Sequence, residues 1–380
     1  MLGGLGIGTT EFVMMGLLPD IATNLHITIP EAGHLISAYA LGVVVGAPLL
    51  VMLSRSYPPK NILLVLMLMF TVFNGFTAFA PNYITLLLGR FFAGLPHGAF
   101  FGVGSVVASR LADKGKQAQA ISMMFAGLTI ANLVTVPLGT FIGHHFLWRY
   151  TFGIVGAIGL ITLIFLKLWL PALPANAAGD NRSELKLLKS PDAWLIILVT
   201  AIGTGGLFAW ISYIAPLMTD VSHFSANNVS WILVLAGFGM VVGNVVGGKL
   251  ADKIAPVKAC GALLTAMAVT LLAIFFLSGN QVISLILTFI AGALSMAIAS
   301  PIQILMIRTA KGAEMLGAAV TQAAFNIGNA LGAFFGGLPI AAGLGFTYPA
   351  LAGTLMAVIG VLFAYILLRK QDSQKVAIDI

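Results

Sequence analysis

Apolar segments of roughly 20 residues, each closed by a short polar break, recur along the whole chain. A helix of that length rises 1.5 Å per residue and crosses the ~30 Å hydrocarbon core of a bilayer. The period-two alternation of a membrane strand is absent. We predict helices over 1–19, 33–54, 61–80, 83–110, 117–143, 149–171, 193–218, 227–250, 256–278, 281–308, 314–340 and 345–369. The pattern therefore predicts an all-α membrane protein of twelve transmembrane helices.

Composition agrees with a membrane solvent, because 59% of the residues are hydrophobic and only 8% are charged. A soluble domain carries about 25% charged residues. The net charge of +7 does not indicate a nucleic-acid partner, since the basic residues lie in short loops between apolar segments. The single cysteine, Cys260, excludes an internal disulfide. The start, Met1 to Gly8, lacks the basic region and cleavage site of a signal peptide and is typical of a first span already under way.

Charge asymmetry predicts the orientation. With both termini in the cytoplasm of a bacterial inner membrane, the inward loops and tail carry sixteen basic residues and the outward loops carry only Arg149. The longest polar break, Pro171 to Asp192, falls between the sixth and seventh helices. We therefore predict an N-terminal six-helix half (1–171), a cytoplasmic linker (172–192), a C-terminal half (193–370) and a cytoplasmic tail (371–380).

The two halves show weak internal similarity at an offset of about 198 residues, for example between Arg110 and Arg308. Six helices per half is an even number, so both halves enter the membrane from the same side and are expected to form parallel, pseudo-symmetric repeats. Glycines spaced along helices two, five, eight and eleven favour close helix packing. We also expect those four helices to form the sliding contact between the halves.

Glu11 and Arg90 are the ionisable residues deepest in the predicted spans. Both lie roughly 12–14 Å below the outer surface, judged from the helical rise. A charge at that depth is costly unless it is paired or hydrated, so the two side chains are expected either to pair or to face a wet cavity. Burial favours a neutral carboxyl and a nearby guanidinium favours a charged one, which suits a proton-coupling group. His97 shares the helix face of Arg90 and is a second candidate, as a proton relay or as a packing histidine.

Polar and aromatic residues within the spans are candidates for solute binding. Gln322, Asn326 and Asn329 share one face of helix eleven, where amides can bind a solute or bridge helices. The full set of candidates is Tyr39, Asn132, Trp210, Tyr213, Gln303, Gln322, Asn326 and Asn329.

Two other kinds of site find no support in the chain. No histidine has a carboxylate or thiol partner at metal-site spacing, so no metal is expected. The segment Gly243 to Lys249 nearly fits a phosphate-binding loop, but Leu250 replaces the required Ser or Thr and the segment is a membrane helix. We therefore predict no cofactor and no ATP-driven pump, which leaves an ion gradient as the energy source.

These residues resemble the major facilitator superfamily, and within it the drug:proton antiporter family, with the arabinose and sugar efflux permease branch the most similar. Gly248 to Lys253, containing Asp252, looks like the cytoplasmic gate motif G-x-L-A-D-R/K. Its counterpart, Ser54-Arg55 with Lys60, lacks the Asp. The stretch Arg90 to Gly94 is similar to the R-x-x-x-G motif linked to proton coupling. Thr10-Glu11-Phe12 resembles a helix-one signature in which the acid carries the proton, and Gly127 to Gly139 looks like a degenerate antiporter motif.

The resemblance implies a major-facilitator fold and a gate formed by Arg55, Asp252 and Lys253. It also implies a monomeric, non-enzymatic antiporter that moves protons inward while a small sugar-like or drug-like solute leaves. Two alternatives stay open: a proton symporter that imports its solute, and a channel or non-transporting sensor. The chain departs from the family at its start, because relatives usually carry a charged lead and a longer first helix.

Overall fold

The computed structural model describes residues 1–54, 57–113, 117–174, 186–187, 189–311 and 313–376. Within these ranges twelve helices are long and apolar enough to cross a membrane. They are α1 (Leu2–Leu25), α2 (Ile29–Ser54), α3 (Pro59–Ala78), α4 (Tyr83–Leu111), α5 (117–145), α6 (Trp148–Trp169), α7 (191–221), α8 (Val229–Lys253), α9 (Pro256–Leu277), α10 (281–309), α11 (Glu314–Ala341) and α12 (Tyr348–Val376). The predicted all-α fold with twelve membrane helices is confirmed.

Most predicted helix ends lie within a few residues of the observed ones, and the largest errors are at the ends of α12, which was predicted to end at 369 and continues to Val376, and of α1. The first helix was predicted to end at residue 19, but α1 continues through Pro19 to Leu25. Proline removes one backbone donor, and a membrane helix tolerates that loss when its neighbours satisfy the freed group. The helix ends instead at His26, whose left-handed φ of 54° directs its backbone N–H to the carbonyls of Ala22 and Thr23.

Two of the helices contain wide turns that the apolar pattern did not predict. In α5, the π-helical turn Ala131–Thr135 separates Gln117–Ile130 from Val136–His145. In α7, π-helical turns occupy Val199–Gly203 and Leu217–Val221. Single π-turns interrupt the regular hydrogen-bond ladder and often mark functional positions. Both interrupted helices lie at the contact between the two halves of the molecule.

The helix pairs repeat from one half to the other. In the first half α2 packs on α4, α3 on α6 and α1 on α5, and in the second α8 packs on α10, α9 on α12 and α7 on α11. Each pair in the second half is the first-half pair with both numbers raised by six. The contacts between halves obey the same symmetry, because α2 meets α11 and α5 meets α8. The molecule is therefore built as two parallel, pseudo-symmetric bundles.

Most glycines of α2, α5, α8 and α11 lie at contacts within the halves. A Cβ atom at Gly46 would stand 2.1 Å from the carbonyl oxygen of Leu95 in α4, and one at Gly243 only 1.8 Å from that of Ala293 in α10. At Gly332 the nearest atom is the carbonyl oxygen of Gly205 in α7. The four helices meet across the halves, as expected, but these glycines do not form that contact. Small residues instead let backbones touch inside each rigid bundle.

The halves touch mainly at the end of the bundle away from the chain termini, here called the far end. There Ser37 of α2 donates a 3.0 Å hydrogen bond to the carbonyl of Ala330 in α11. At mid-height, the carbonyl oxygen of Asn132 in α5 lies 2.6 Å from where a Cβ atom of Gly237 in α8 would stand. Contacts between α5 and α8 come from 131–145 far more than from 117–130. Asn244, on the same face of α8 as Gly237, is exposed. The seam between α5 and α8 is thus closed at the far end and parted toward the termini.

Candidate functional site

Arg90 lies in the centre of the first half and is completely buried. Its guanidinium carbon stands 4.4 Å from the ring centroid of Tyr39 in α2 and 5.4 Å from that of Phe152 in α6. One nitrogen, Nη1, donates a 2.8 Å hydrogen bond to the hydroxyl of Thr10 in α1. The Nε and Nη2 groups have no partner among the described residues. A buried donor without an acceptor costs about 1–3 kcal/mol of folding free energy. An acceptor that came within reach of Nε or Nη2 would remove that cost, so these two groups favour the approach of one.

Glu11 follows Thr10 on α1 and is the only buried carboxylate among the described side chains. It lies within electrostatic range of Arg90, although no hydrogen bond or contact ion pair joins them. Asn329 of α11 interacts with its carboxyl group, although no hydrogen bond within 3.5 Å joins the two side chains. The sequence left open whether the two residues pair or face a cavity. In this conformation they are close but unpaired, with the carboxyl at the boundary between the halves.

His97 lies about two turns from Arg90 on α4 and is also buried. Its Nδ1 is 3.2 Å from the Tyr39 hydroxyl, and its ring packs against Phe101 with centroids 5.4 Å apart. The structure thus brings three predicted residues, Arg90, Tyr39 and His97, into one cluster. His97 touches Tyr39 and has no hydrogen bond to Glu11 among the described contacts. This position suits a side chain that holds Tyr39 in place.

The amide face of α11 points toward the first half. Ala330, which accepts the bond from Ser37, shares a helix face with Asn326 and Asn329. Asn329 is buried beside Glu11 and interacts with it, but both of its amide atoms lack a hydrogen-bond partner within 3.5 Å. Asn326 donates to the carbonyl of Gln322 and leaves its own Oδ1 unpaired. Gln322 itself is half-buried. These amides keep acceptors and donors available at the seam.

Two predicted aromatic residues of α7 have different surroundings. Trp210 is buried with its indole N–H unpaired, so it offers a donor and a flat apolar surface. Tyr213 is also buried, but its hydroxyl donates a 2.7 Å hydrogen bond to the carbonyl of Ala333 in α11. The same hydroxyl lies 2.2 Å from where a Cβ atom of Gly33 in α2 would stand. Tyr213 therefore contributes to closure at the far end, and its hydroxyl is already occupied.

Asn132 and Gln303 complete the predicted set. Asn132 lies in the π-helical turn of α5, where its side chain donates to the carbonyl of Leu128. It lines a small pocket between the halves together with Phe12, Met15, Ile211 and Met240. Gln303 is half-buried on α10, near the terminal end, and makes no hydrogen bond to Glu11 among the described residues. Asn132 is thus placed at the seam, whereas Gln303 is not brought to the Arg90 cluster.

The predicted gate lies largely outside what the structure describes. Arg55 falls in the undescribed interval 55–56, and the side chain of Asp252 is likewise outside the described part. Lys253 is exposed at the last position of α8. No group of three metal-binding side chains occurs among the described residues.

Two buried polar residues in the cluster were not predicted from the sequence. Thr10 precedes Glu11, and Asn74 of α3 accepts a 2.6 Å hydrogen bond from its hydroxyl. Both side chains are fully buried. A search for intramembrane Asn and Thr at the depth of Glu11 would have found them. The second half has no matching cation, because the position equivalent to Arg90 is Thr288, buried with an unpaired hydroxyl.

Comparison with known proteins gives consistent results. The family model described as Major Facilitator Superfamily matches residues 1–321 and residues 211–379. The inner membrane transport protein YdhP of Escherichia coli (strain K12) is 42% identical over 97% of this chain and 95% of its own length. AraJ of the same strain is 41% identical over 94% of this chain and 90% of its own. Among solved structures, a D-xylose-proton symporter superposes with a TM-score of 0.74 at 17% identity, covering 96% of this chain and 95% of the other.

Proposed function

Because this chain belongs to the Major Facilitator Superfamily and transports a small solute across a bacterial inner membrane, we propose that it is a proton-coupled antiporter that exports that solute. The names of its relatives indicate transport rather than catalysis, and members of the family typically act as monomers. The proposal covers coupling to protons, the direction of transport and the class of solute.

The observation that carries proton coupling is the position of Glu11. A lone buried carboxyl at the boundary of two moving bodies changes its surroundings whenever those bodies move. Near the guanidinium of Arg90 it favours the charged form, and away from it the neutral form. Alternation between the two conformations would therefore bind and release one proton.

The parted seam supports alternating access. If both termini face the cytoplasm, as the charge asymmetry predicts, the far end faces outward and this conformation is closed to the outside. Rocking the two bundles about Glu11 would close the terminal end and open the far end, where Ser37 bonds to Ala330 and Tyr213 packs against Gly33 of the opposite half. Export is favoured by the resemblance of the segment from Thr10 to Leu18 to the efflux branch, since the fold alone serves either direction.

The unpaired groups at the seam support a solute that carries hydroxyl or carbonyl groups on an apolar frame. Asn326 and Asn329 offer amide donors and acceptors, and Trp210 offers an N–H beside a flat apolar surface. Tyr39, Asn132 and Gln322 are proposed to border the same space. Arg55, Asp252 and Lys253 are proposed to latch the cytoplasmic mouth shut in the opposite conformation.

The test is solute-driven proton flux in proteoliposomes. A panel of pentoses, nucleosides and chloramphenicol is added to vesicles that contain the protein and a trapped pH dye, and any member that moves protons is then followed with a radiolabel under an imposed pH gradient. We expect uphill movement of that solute against the proton flow, and loss of the uphill movement in Glu11→Gln while solute exchange down its gradient survives.

Asp20→Asn is the matched control, because Asp20 also lies on α1 but bonds to His144 at the far end. Uphill movement driven by a pH gradient in Glu11→Gln would contradict the assignment of Glu11. Co-movement of solute and protons in one direction would favour the symporter instead.

A further inference from the structure

A chain of hydrogen bonds links three helices behind Glu11. Arg90 Nη1 of α4 donates to Thr10 Oγ1 of α1 at 2.8 Å, and Thr10 Oγ1 donates to Asn74 Oδ1 of α3 at 2.6 Å. Asn74 Nδ2 in turn donates at 2.8 Å to the carbonyl of Phe70, one turn earlier on α3. All three side chains are completely buried, so water does not compete for these bonds.

The direction of the chain is fixed by its chemistry. A guanidinium has only donors, so Thr10 must accept from Arg90 and must place its own proton elsewhere. Asn74 accepts the hydrogen bond from the Thr10 hydroxyl through Oδ1, because its Nδ2 already donates to the carbonyl of Phe70. The amide thereby orients the hydroxyl, and the hydroxyl orients the guanidinium. The rings of Tyr39 and Phe152 restrict the plane of the guanidinium from two further helices.

This arrangement leaves Arg90 hydrogen-bonded through Nη1, while the Nε and Nη2 groups have no partner among the described residues. We propose that Thr10 and Asn74 are positioning residues that hold the Arg90 guanidinium away from Glu11 while the carboxyl carries its proton, with Nε and Nη2 kept ready to receive the charged carboxyl once the proton has left. The proposal rests on the proposed function, since it assigns how the Glu11 proton is controlled. Because Thr10 and Glu11 are neighbours on α1, a movement of α1 that brings the carboxyl to Arg90 must also strain the bond to Thr10. Arg90 therefore exchanges one partner for the other.

The proposal predicts the effect of removing the hydroxyl. In Thr10→Val the shape of the side chain is nearly kept, but Nη1 loses its acceptor and Glu11 becomes the nearest alternative. The carboxyl then forms its ion pair without the movement of α1. We expect the pH at which Glu11 changes charge, and with it the pH profile of transport, to move by about one pH unit to lower pH. Thr10→Ser keeps the hydroxyl and should retain the wild-type profile.

The readout does not need the solute. The melting temperature of the purified protein is measured across pH, and the component that disappears in Glu11→Gln is assigned to Glu11. The midpoint of that component is compared in wild type, Thr10→Val, Thr10→Ser and Asn74→Ala, the last expected to shift in the same direction by less. Thr9→Val is the matched control, since Thr9 is buried one residue earlier and bonds instead to the Leu5 carbonyl and to Thr135.

Three results would overturn the proposal. An unchanged midpoint in folded Thr10→Val and Asn74→Ala would show that the chain does not act on Arg90. An equal shift in Thr9→Val would assign the effect to packing. If Thr10→Val fails to fold, Asn74→Ala and Thr10→Ala carry the same comparison, because neither adds bulk. A wild-type protein with no component that depends on Glu11 overturns both this proposal and the proton coupling, whereas a wild-type component without the shifts overturns this proposal alone.

Discussion

Tyr39 makes two separable contacts at the residue scale. Its ring lies under the Arg90 guanidinium, and its hydroxyl meets Nδ1 of His97. A desolvated cation–π contact contributes about 2 kcal/mol, whereas a neutral hydrogen bond contributes nearer 1 kcal/mol. Tyr39→Phe should therefore cost little thermal stability and leave the pH profile of transport unchanged, while Tyr39→Leu should lower both the melting temperature and pH-driven transport.

Differential scanning fluorimetry and proteoliposome flux measure the two quantities on the same preparations. If Tyr39→Phe is as harmful as Tyr39→Leu, the bond to His97 is the important contact. His97 would then return as a candidate for proton relay.

The sequence could place Glu11 and Arg90 at one depth, because residue number converts directly to height along a helix. It could not show that the two residues stop short of an ion pair, since that depends on rotation and tilt of α1 and α4. Thr10 and Asn74 were missed for a related reason. Buried Thr and Asn side chains often bond to the carbonyl one turn earlier, as Asn74 does to Phe70. The sequence does not reveal which of them also reaches another helix.

Glycines let the backbones of paired helices touch, and a substitution that adds a Cβ atom there tests how much that contact contributes to stability. Gly243→Ala should strongly destabilise the second half, because the new Cβ atom meets the main-chain atoms of Ala293 and backbone cannot rotate away. Gly248→Ala, five residues further along α8, has nothing within 4 Å and is the matched control. We expect a lower melting temperature in detergent for Gly243→Ala alone. Equal melting temperatures would show that α8 and α10 can separate at no cost.

Helix number and most helix ends were predictable because apolar length is set by the bilayer. The π-helical turns of α5 and α7 were not, because one extra residue in a turn leaves the apolar pattern intact. The direction of the glycine faces was equally hidden. Spacing at four residues identifies a smooth face, but the partner of that face follows from the arrangement of all twelve helices.

The charge asymmetry of the loops predicts the orientation of the whole molecule in the membrane. In a Cys260→Ser background, Lys258→Cys lies at the terminal end and Asn280→Cys at the far end, both at exposed positions. A membrane-impermeant maleimide added to intact cells should label position 280 and leave position 258 unlabelled until the membrane is opened. Labelling of position 258 in intact cells would reverse the orientation and with it the direction assigned to the parted seam.

The parted seam between α5 and α8 has a pharmacological consequence. Each bundle is stiffened by backbone contacts at its glycines, so the mouth beside Asn244 closes only if the bundles move as bodies. A compound that lodges between 117–130 of α5 and the exposed face of α8 prevents that movement without touching Glu11. We expect such a compound to arrest the cycle in one conformation whatever the solute, because it blocks the movement of the bundles and does not have to occupy the site beside Glu11.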